Sequence, residues 1–207
     1  MVTQNQRAAK AGIDKFGMRR DELATSALVT LAERGYAHTG LRDIAENSDF
    51  SHGVLHYYFT DKNDLIQHCV RLYKSDCATH YDEIVATAVS GEELATRFGV
   101  AMGETLRDDA SMHRLWYDLR NQSMFQSELA DVIREIDGLL EQMIWQLVCR
   151  YAELTGGVAV VDPALAYAMY DGMFEQSLVA YLAGDLAALD RVSARCEQLL
   201  HLVVPGV

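Results

Sequence analysis

Two short helical segments separated by a turn of about three residues are the feature that most restricts how this chain can fold. Apolar residues recur at helical spacing in 40–48, and a second segment begins after Ser51 and runs to about 58. Helices this short are stable only when they share a small core with neighbouring elements. With the turn at 48–50, one helix braces the other, which is the geometry that places a helix in the major groove of DNA.

Residues around the turn give further local predictions. Thr39 and Ser51 are well placed as N-caps of the two helices, because a hydroxyl can accept a hydrogen bond from a free backbone N–H of the first turn. We expect Phe50 to anchor the turn in the core. Asp49 occupies a position where a left-handed backbone is wanted, a conformation that Asp tolerates better than most residues.

The second helix has the composition of a recognition helix. Leu55 is expected to face the core, and Gly53 lets the helix approach DNA closely because it has no side chain. For base reading, His52 can donate to a guanine or a phosphate, Val54 can pack on a thymine methyl, and Tyr57 can do either. The residues on the face opposite Leu55 are Ser51, His52, Gly53, Val54, His56 and Tyr57.

The whole chain is predicted to be all-α, with about nine helices. Only two prolines interrupt it, and Asp162-Pro163 is a typical helix start. The predicted helices outside the turn are 18–34, 62–87, 92–107, 111–121, 127–154, 163–183 and 186–203. The predicted domains are a flexible basic arm (1–17), a helix-turn-helix domain (18–62) and a helical effector-binding and dimerisation domain (63–207).

Charge is distributed unevenly along the chain. The net charge is −12, but residues 1–62 contain eight basic and eight acidic residues, so the excess acidity lies entirely after residue 62. The first twenty residues contain five basic residues and one acidic residue. This asymmetry permits nucleic-acid binding at one end of the molecule and leaves open whether the basic arm enters a minor groove.

The segment 39–65 resembles the TetR family of bacterial regulators, whose pattern reads roughly T-x-x-x-I-A-x-x-A-G-V-S-x-G-x-x-Y-x-Y-F-x-x-K-x-x-L. The matching residues are Thr39, Ile44, Ala45, Ser51, Gly53, Tyr58, Phe59, Lys62 and Leu65. The resemblance implies an N-terminal DNA-binding domain and phosphate contacts by Thr39, Ser51, Tyr58 and Lys62. It also implies a DNA contact by Arg42 on the bracing helix.

The chain departs from the family pattern at three points. Ser48-Asp49 replaces the usual Ala-Gly of the turn, and His56 replaces a frequent Tyr. His52 stands where Lys or Arg is usual, which removes a permanent positive charge from the recognition helix. This last change lowers the expected operator affinity and makes binding sensitive to pH near neutrality.

The C-terminal part is rich in aromatic residues and methionine. Most of these side chains are expected to be ordinary core, yet together they are what lines a preformed apolar ligand pocket. Trp116 is a stronger candidate than His113, because a polar group taken singly more often lies on a solvated face. The candidate ligand-binding residues are Tyr73, Phe98, Met102, His113, Trp116, Tyr117, Arg120, Met143, Tyr170 and Phe174.

In regulators of this family the last two helices commonly pair with their copies in a dimer. The expected homodimer implies a roughly palindromic double-stranded operator. The candidate seam residues are Tyr170, Phe174, Leu178, Tyr181, Leu182, Leu199 and Leu202.

Other classes of protein are disfavoured. There is no H-E-x-x-H, no paired-thiol metal spacing and no phosphate-binding loop, so we expect no metal, no cofactor and no enzymatic activity. The first residues lack the apolar core of a signal peptide, which favours a cytoplasmic protein without membrane contact. Two hypotheses remain: a regulator, most simply a repressor released from DNA by a small molecule, and a helical small-molecule or protein-binding module with a vestigial DNA-binding head.

Overall fold

The computed structural model describes residues 4–206, apart from the side chains of residues 4–14, 75, 76 and 78. Within this range all regular structure is helical, as the sequence predicts, although the described part contains ten helices rather than nine. They are α1 (Gln4–Arg34), α2 (Leu41–Glu46), α3 (His52–Tyr58), α4 (Lys62–Thr79), α5 (Asp82–Thr87), α6 (Gly91–Asp108), α7 (Ala110–Ser123), α8 (Ser127–Thr155), α9 (Pro163–Leu182) and α10 (Ala188–Val203). None of the helices within 4–206 combines the length and the apolar character needed to cross a membrane.

The first helix is longer than the sequence analysis predicts. α1 begins at Gln4, not at Met18, so most of the segment predicted to be a flexible arm is helical. The added turns contain good helix formers, and Phe16 packs its ring 4.7 Å from that of Tyr58, centroid to centroid. Residues 1–3 and the side chains of 4–14 lie outside the described residues, and with them the predicted minor-groove contact of the basic arm.

The predicted helix 62–87 is divided into α4 and α5 by a turn at His80-Tyr81. The Tyr81 side chain is buried, its ring lies 5.0 Å from that of Phe98, and its hydroxyl lies 2.8 Å from Thr105 Oγ1. These contacts explain the break, because burying this ring against α6 takes the backbone out of the straight helical path. No glycine or proline marks the turn.

The described chain forms two compact units that do not follow the predicted boundary at residue 62. The head unit consists of the residues up to Tyr73 together with Asp118–Val132, and the body unit consists of Lys74–Tyr117 and the residues from 133 onward. Three helices, α4, α7 and α8, therefore contribute residues to both units.

The helix-turn-helix lies in the head unit. Its core contains apolar side chains from α1, α2, α3 and α4 and from the segment 118–132. The leucine, isoleucine, valine and phenylalanine side chains among them that are at most 1% exposed are Leu23, Leu31, Ile44, Leu55, Phe59, Leu65, Ile66, Leu119, Leu129 and Val132. Leu55 is fully buried, as predicted, and Phe50 is half-buried beneath the guanidinium of Arg19, 4.7 Å from its ring centroid.

Two local predictions about this motif are wrong. The N-cap of α2 is Gly40, whose N–H donates to the Asp43 carboxylate at 2.7 Å, and Thr39 instead donates its hydroxyl to the Gly35 carbonyl at 2.7 Å. Asp49 does not adopt a left-handed backbone, since no described residue other than glycine has a positive φ. The turn closes without one because the Phe50 N–H donates to Ser48 Oγ. The Ser51 cap is confirmed: its hydroxyl accepts from the Val54 N–H at 3.3 Å.

The body unit is held together by close packing of α10 against α6 and α9. Two glycines of α6 face α10: a Cβ at Gly99 would lie 2.7 Å from the Ser193 carbonyl oxygen, and one at Gly103 would lie 2.9 Å from Ser193 Oγ. The α6–α10 separation therefore depends on Gly99 in particular, because a backbone atom cannot rotate away as a side chain can.

Substitution of Gly99 tests this packing. Gly99→Ala is expected to lower the free energy of unfolding by about 1–3 kcal/mol, because the added methyl forces α6 and α10 apart. Gly138→Ala on α8 is the matched control: nothing lies within 4 Å of a Cβ there, so alanine is expected to stabilise the helix by up to about 1 kcal/mol. Chemical denaturation of the two variants and the parent measures both effects, and equal stabilisation by both would contradict the packing.

Candidate DNA-binding and effector sites

The exposed face of α3 carries most of the predicted DNA-contacting residues. Ser51, His52, Gly53, His56 and Tyr57 are exposed, and Val54 and Tyr58 are half-exposed. Arg42 on α2 is exposed as well. These residues are thus available for contact, which is the arrangement expected of a recognition helix and its bracing helix.

Edge-to-face contacts between aromatic rings divide the side chains of this face into two groups. The His52 and His56 rings lie 4.4 Å apart, one helical turn from each other, and the Tyr57 and Tyr58 rings lie 5.0 Å apart. Phe16 of α1 packs against both tyrosines, with centroid distances of 6.3 Å to Tyr57 and 4.7 Å to Tyr58. Tyr57 nevertheless remains 74% exposed, so its hydroxyl and ring edge are available to an external partner.

Gly53 lies in the open on this face. The nearest atom to a Cβ built there would be Ser51 Oγ at 3.9 Å, and the backbone φ is not in the left-handed region. Packing within the chain therefore does not require glycine at this position. A reason for the missing side chain must come from outside the chain, and close approach to a ligand such as DNA supplies one.

Two predicted phosphate contacts are engaged within the head unit. Thr39 is buried, and its hydroxyl donates to the Gly35 carbonyl, so the structure does not place it on the exposed face. Lys62 donates from Nζ to the Tyr36 carbonyl at 2.5 Å and lies 3.9 Å from the centroid of the Tyr36 ring. Burial lowers the pKa of Lys62, and the carboxylates of Asp118 and Asp43 partly offset this.

Tyr36 links the helix-turn-helix to the segment 118–132. Its N–H donates to Asp118 Oδ2 at 2.8 Å, and its hydroxyl oxygen lies 3.0 Å from Asn63 Oδ1 and 2.5 Å from Gln126 Oε1. Sequence reasoning did not identify Asp118, because its partner is far away along the chain. Asp118 lies on α7, directly after the predicted ligand-binding residues Trp116 and Tyr117.

The predicted effector residues fall in both units. Tyr73 and Arg120 are half-buried members of the head unit, and the other eight belong to the body unit. Within the body unit the ring of His113 lies 4.8 Å from that of Phe174, and the ring of Phe98 lies 6.0 Å from that of Tyr170. Met143 is half-buried, and the remaining body-unit candidates are all buried.

Lys74 is a buried residue that sequence reasoning missed. It is 3% exposed, with Nζ 3.3 Å from His113 Nδ1 and 5.0 Å from the centroid of the Trp116 ring. Burial lowers the pKa of its ammonium to about 8, against the attraction of nearby Asp171, Asp109 and Asp137. One signal could have found it: Ile66, Val70 and Lys74 are spaced by four and share the buried face of α4.

Two buried tyrosines of the body unit donate hydrogen bonds to carboxylates that the sequence analysis did not identify. Tyr117 donates its hydroxyl to Asp171 Oδ1 at 3.1 Å, and Tyr167 donates to Asp137 Oδ1 at 2.8 Å. Together with Lys74 and His113 they give the interior of this unit several polar groups among its aromatic rings.

The predicted dimer seam is partly wrong. Tyr170, Phe174 and Leu178 are buried within the chain, at 1%, 6% and 2% exposure, and cannot face a second copy. Tyr170 even donates its hydroxyl to the Cys196 carbonyl at 3.0 Å. The polar and apolar residues of α9 are distributed without a distinct polar face, so its sequence does not reveal which side is internal.

The helix-turn-helix with an exposed recognition face defines a DNA-binding regulator. A family model described as "Bacterial regulatory proteins, tetR family" matches residues 23–69. The HTH-type transcriptional repressor KstR2 of Rhodococcus jostii is 35% identical over 196 residues, covering 91% of each chain. The chain therefore belongs to the TetR family of transcriptional regulators, which confirms the resemblance drawn from 39–65.

Further relatives agree in sequence or fold. The KstR2 repressor of Mycolicibacterium smegmatis is 32% identical over 88 residues, which is 42% of this chain and 43% of that protein. The ketosteroid regulator KstR2 of Mycobacterium tuberculosis superposes with a TM-score of 0.65 at 20% identity, over 91% of this chain and 96% of that one. FadR of Bacillus subtilis, solved with stearoyl-CoA, gives 0.66 at 19% identity, over 89% and 97%.

The buried lysine predicts a specific dependence of stability on pH. Because the pKa of Lys74 is about 8 in the folded protein and ordinarily 10.5, the unfolded chain retains a proton that the folded chain loses between these values. The free energy of unfolding of the parent, relative to that of Lys74→Met, should therefore rise by about 2 kcal/mol between pH 7 and pH 9.5. Denaturant titrations of both proteins at the two pH values measure this difference, and parallel stability curves would contradict it.

Proposed function

We propose that this protein is a repressor that binds a palindromic operator as a homodimer and leaves it when an apolar small molecule occupies the body unit. The observation that carries the proposal is the α3 face, where an unpacked Gly53 lies among exposed hydrogen-bonding and aromatic side chains. The action takes place on cytoplasmic DNA and includes no catalytic step.

Base reading is assigned to the exposed face of α3. His52, Val54, His56 and Tyr57 present ring N–H, methyl and hydroxyl groups of the kinds that contact base edges. Ser51, Tyr58, Arg42 and Lys62 are assigned to phosphates, which fix the register of the helix in the groove. Lys62 must leave the Tyr36 carbonyl to do so, and the buried Thr39 hydroxyl has no phosphate role in this assignment.

Dimerisation is assigned to the outer face of α9 and to the exposed end of α10. Leu165, Gly172 and Val179 recur every seven residues on α9, and Leu165 and Val179 are 49% and 63% exposed. Leu182 and Leu202 are 44% and 63% exposed. Nothing lies within 4 Å of a Cβ at Gly172, so a second helix can approach this face closely.

The effector is assigned to the aromatic interior of the body unit. The relatives support an apolar ligand of considerable size, since FadR of Bacillus subtilis was solved with stearoyl-CoA and KstR2 of Mycobacterium tuberculosis is described as a ketosteroid regulator. A coupling of about 1–3 kcal/mol between effector and operator is enough for a useful response.

Substitution of Gly53 distinguishes an effect on DNA contact from an effect on folding. Gly53→Ala should increase thermal stability slightly, because alanine is worth up to about 1 kcal/mol in a helix. The same change should weaken binding to an operator recovered from random duplex DNA by about tenfold, since the methyl would lie between α3 and the groove. Fluorescence anisotropy with labelled duplex at two salt concentrations measures the affinity.

Gly138→Ala is the control for this experiment, because it also adds a methyl at an open helical position but lies on α8. It should stabilise the protein without changing operator affinity. Equal operator affinities for Gly53→Ala and the parent would exclude α3 as the reading helix, and failure of the parent to enrich any duplex would overturn the operator proposal.

The dimer proposal predicts a change of mass in solution. Val179→Glu places a charge on the outer face of α9 and should convert the dimer to a monomer, with loss of high-affinity operator binding. Val158→Glu, at a residue that is 75% exposed and lies outside α9 and α10, should leave the dimer intact. Sedimentation velocity gives the masses, and a dimeric Val179→Glu protein would contradict this interface.

A further inference from the structure

Lys74 stands out among the interior residues of the body unit. Among the described side chains it is the only lysine, arginine, aspartate or glutamate that is buried; the other buried polar residues are Thr30, Thr39, His113 and Ser177. An ammonium group in a protein interior costs free energy relative to an apolar side chain of similar size. A function that needs a strong hydrogen-bond donor at this point would offset that cost.

The surroundings of the ammonium define what it can bind. His113 Nδ1 lies 3.3 Å from Lys74 Nζ, and burial together with the charge of Lys74 lowers the pKa of His113 well below its ordinary value. The neutral imidazole can therefore accept a hydrogen bond at Nδ1 from the ammonium. The centroid of the Trp116 ring lies 5.0 Å from Nζ, and the ring of Phe174 lies edge-on to that of His113 at 4.8 Å.

The electrostatic field at this cluster disfavours an anionic ligand. The carboxylates of Asp109, between α6 and α7, of Asp137 on α8 and of Asp171 on α9 attract the ammonium of Lys74. The charges of these three carboxylates would repel an anionic ligand placed beside the ammonium. A neutral acceptor oxygen gains the hydrogen bond from Nζ without the repulsion that a carboxylate would meet.

We propose that Lys74 donates a hydrogen bond to a carbonyl oxygen of an uncharged, apolar effector whose hydrophobic body lies against Trp116 and Phe174. The ligand class is a ketone, ester or thioester with a large apolar skeleton. This assignment rests on the proposed function, because it places the polar end of the effector that controls operator binding.

A set of fluorescent probes tests the assignment on the full-length protein. Prodan carries a ketone on an uncharged naphthalene, 2-(dimethylamino)naphthalene lacks the ketone, and 1-anilinonaphthalene-8-sulfonate is anionic. The parent should bind Prodan more tightly than either of the others, with the red-shifted emission of a hydrogen-bonded carbonyl. Lys74→Met should lose about tenfold in affinity for Prodan and none for the probe without the ketone, because one charge-assisted hydrogen bond disappears.

Two further variants keep the result interpretable. Tyr151→Phe removes a different buried polar group of the body unit, one that pairs with His201 Nδ1 at 3.1 Å, and should leave Prodan binding unchanged. His113→Gln keeps an acceptor beside the ammonium and should retain most of the affinity, so the proposal can be judged even if Lys74→Met does not fold.

Several outcomes would overturn the assignment. They are equal losses of both uncharged probes in Lys74→Met, an unchanged affinity for Prodan, tightest binding of the sulfonate to the parent, and no binding of Prodan to the parent. With Lys74→Met unfolded, a large loss of Prodan binding in Tyr151→Phe, or equal affinities of His113→Gln for Prodan and for the probe without the ketone, would overturn it as well. Operator binding is measured separately. If the protein binds operator but fails the probe tests, only the carbonyl site is refuted. If it passes the probe tests but does not bind operator, the proposed repressor function is refuted.

Discussion

The short length of α2 and α3 is the constraint on which the rest of the head depends. Helices of six and seven residues have few side chains to bury, so they hold their angle only when longer elements complete their core. Here α1, the first part of α4 and the segment 118–132 do so. The bond from the Tyr36 N–H to Asp118 Oδ2 fixes the loop before α2 to that segment, and Lys62 closes the same loop through the Tyr36 carbonyl.

This construction places an element of α7 inside the DNA-binding head. Trp116 and Tyr117 belong to the body unit, whereas the next residue, Asp118, belongs to the head unit. A change of conformation at the proposed effector site therefore needs no long relay to reach Asp118, since the two positions are consecutive on one helix. In the proposed function, Lys62, which also bonds to Tyr36, is the residue through which such a change alters phosphate contact.

The acidic charge of the chain determines what the proposed recognition face needs in order to bind DNA. The chain carries −12 overall, and long-range attraction to DNA is correspondingly weak. In the proposed function, with His52 in place of a permanent cation, binding depends on close contacts of α3 and on the pairing of two heads. The proposed function meets this requirement through Gly53, which allows close approach, and through the outer face of α9, which is assigned to the dimer.

The sequence predicted features that depend on neighbouring residues and missed those that depend on distant ones. The all-α class, the Ser51 cap and the buried Leu55 follow from local spacing and were correct. Thr39 was misassigned because its hydroxyl donates to a carbonyl four residues earlier. The spacing of residues in the sequence does not reveal the shape of that turn. Tyr81 breaks a helix without a glycine or proline, since its burial against α6 is a tertiary effect.

The candidate functional residues also divide into those that the local sequence predicts and those that depend on distant residues. The α3 face could be predicted because one motif contains it. The inward side of α9 could not be predicted, since a helix without a distinct polar face gives no sequence signal for its orientation, and Tyr170, Phe174 and Leu178 proved internal. Lys74 was overlooked because a lysine on a buried face contradicts its usual preference for solvent, and only the chemistry of its neighbours gives it a role.

The operator affinity of Asp118→Ala tests the central claim most directly. If the head depends on the bond between Tyr36 and Asp118, this variant should bind operator about tenfold more weakly than the parent while its helical content and dimer mass stay the same. Asp131→Ala, at an exposed carboxylate of the same head unit, should bind like the parent. Identical affinities for the two variants would contradict the account.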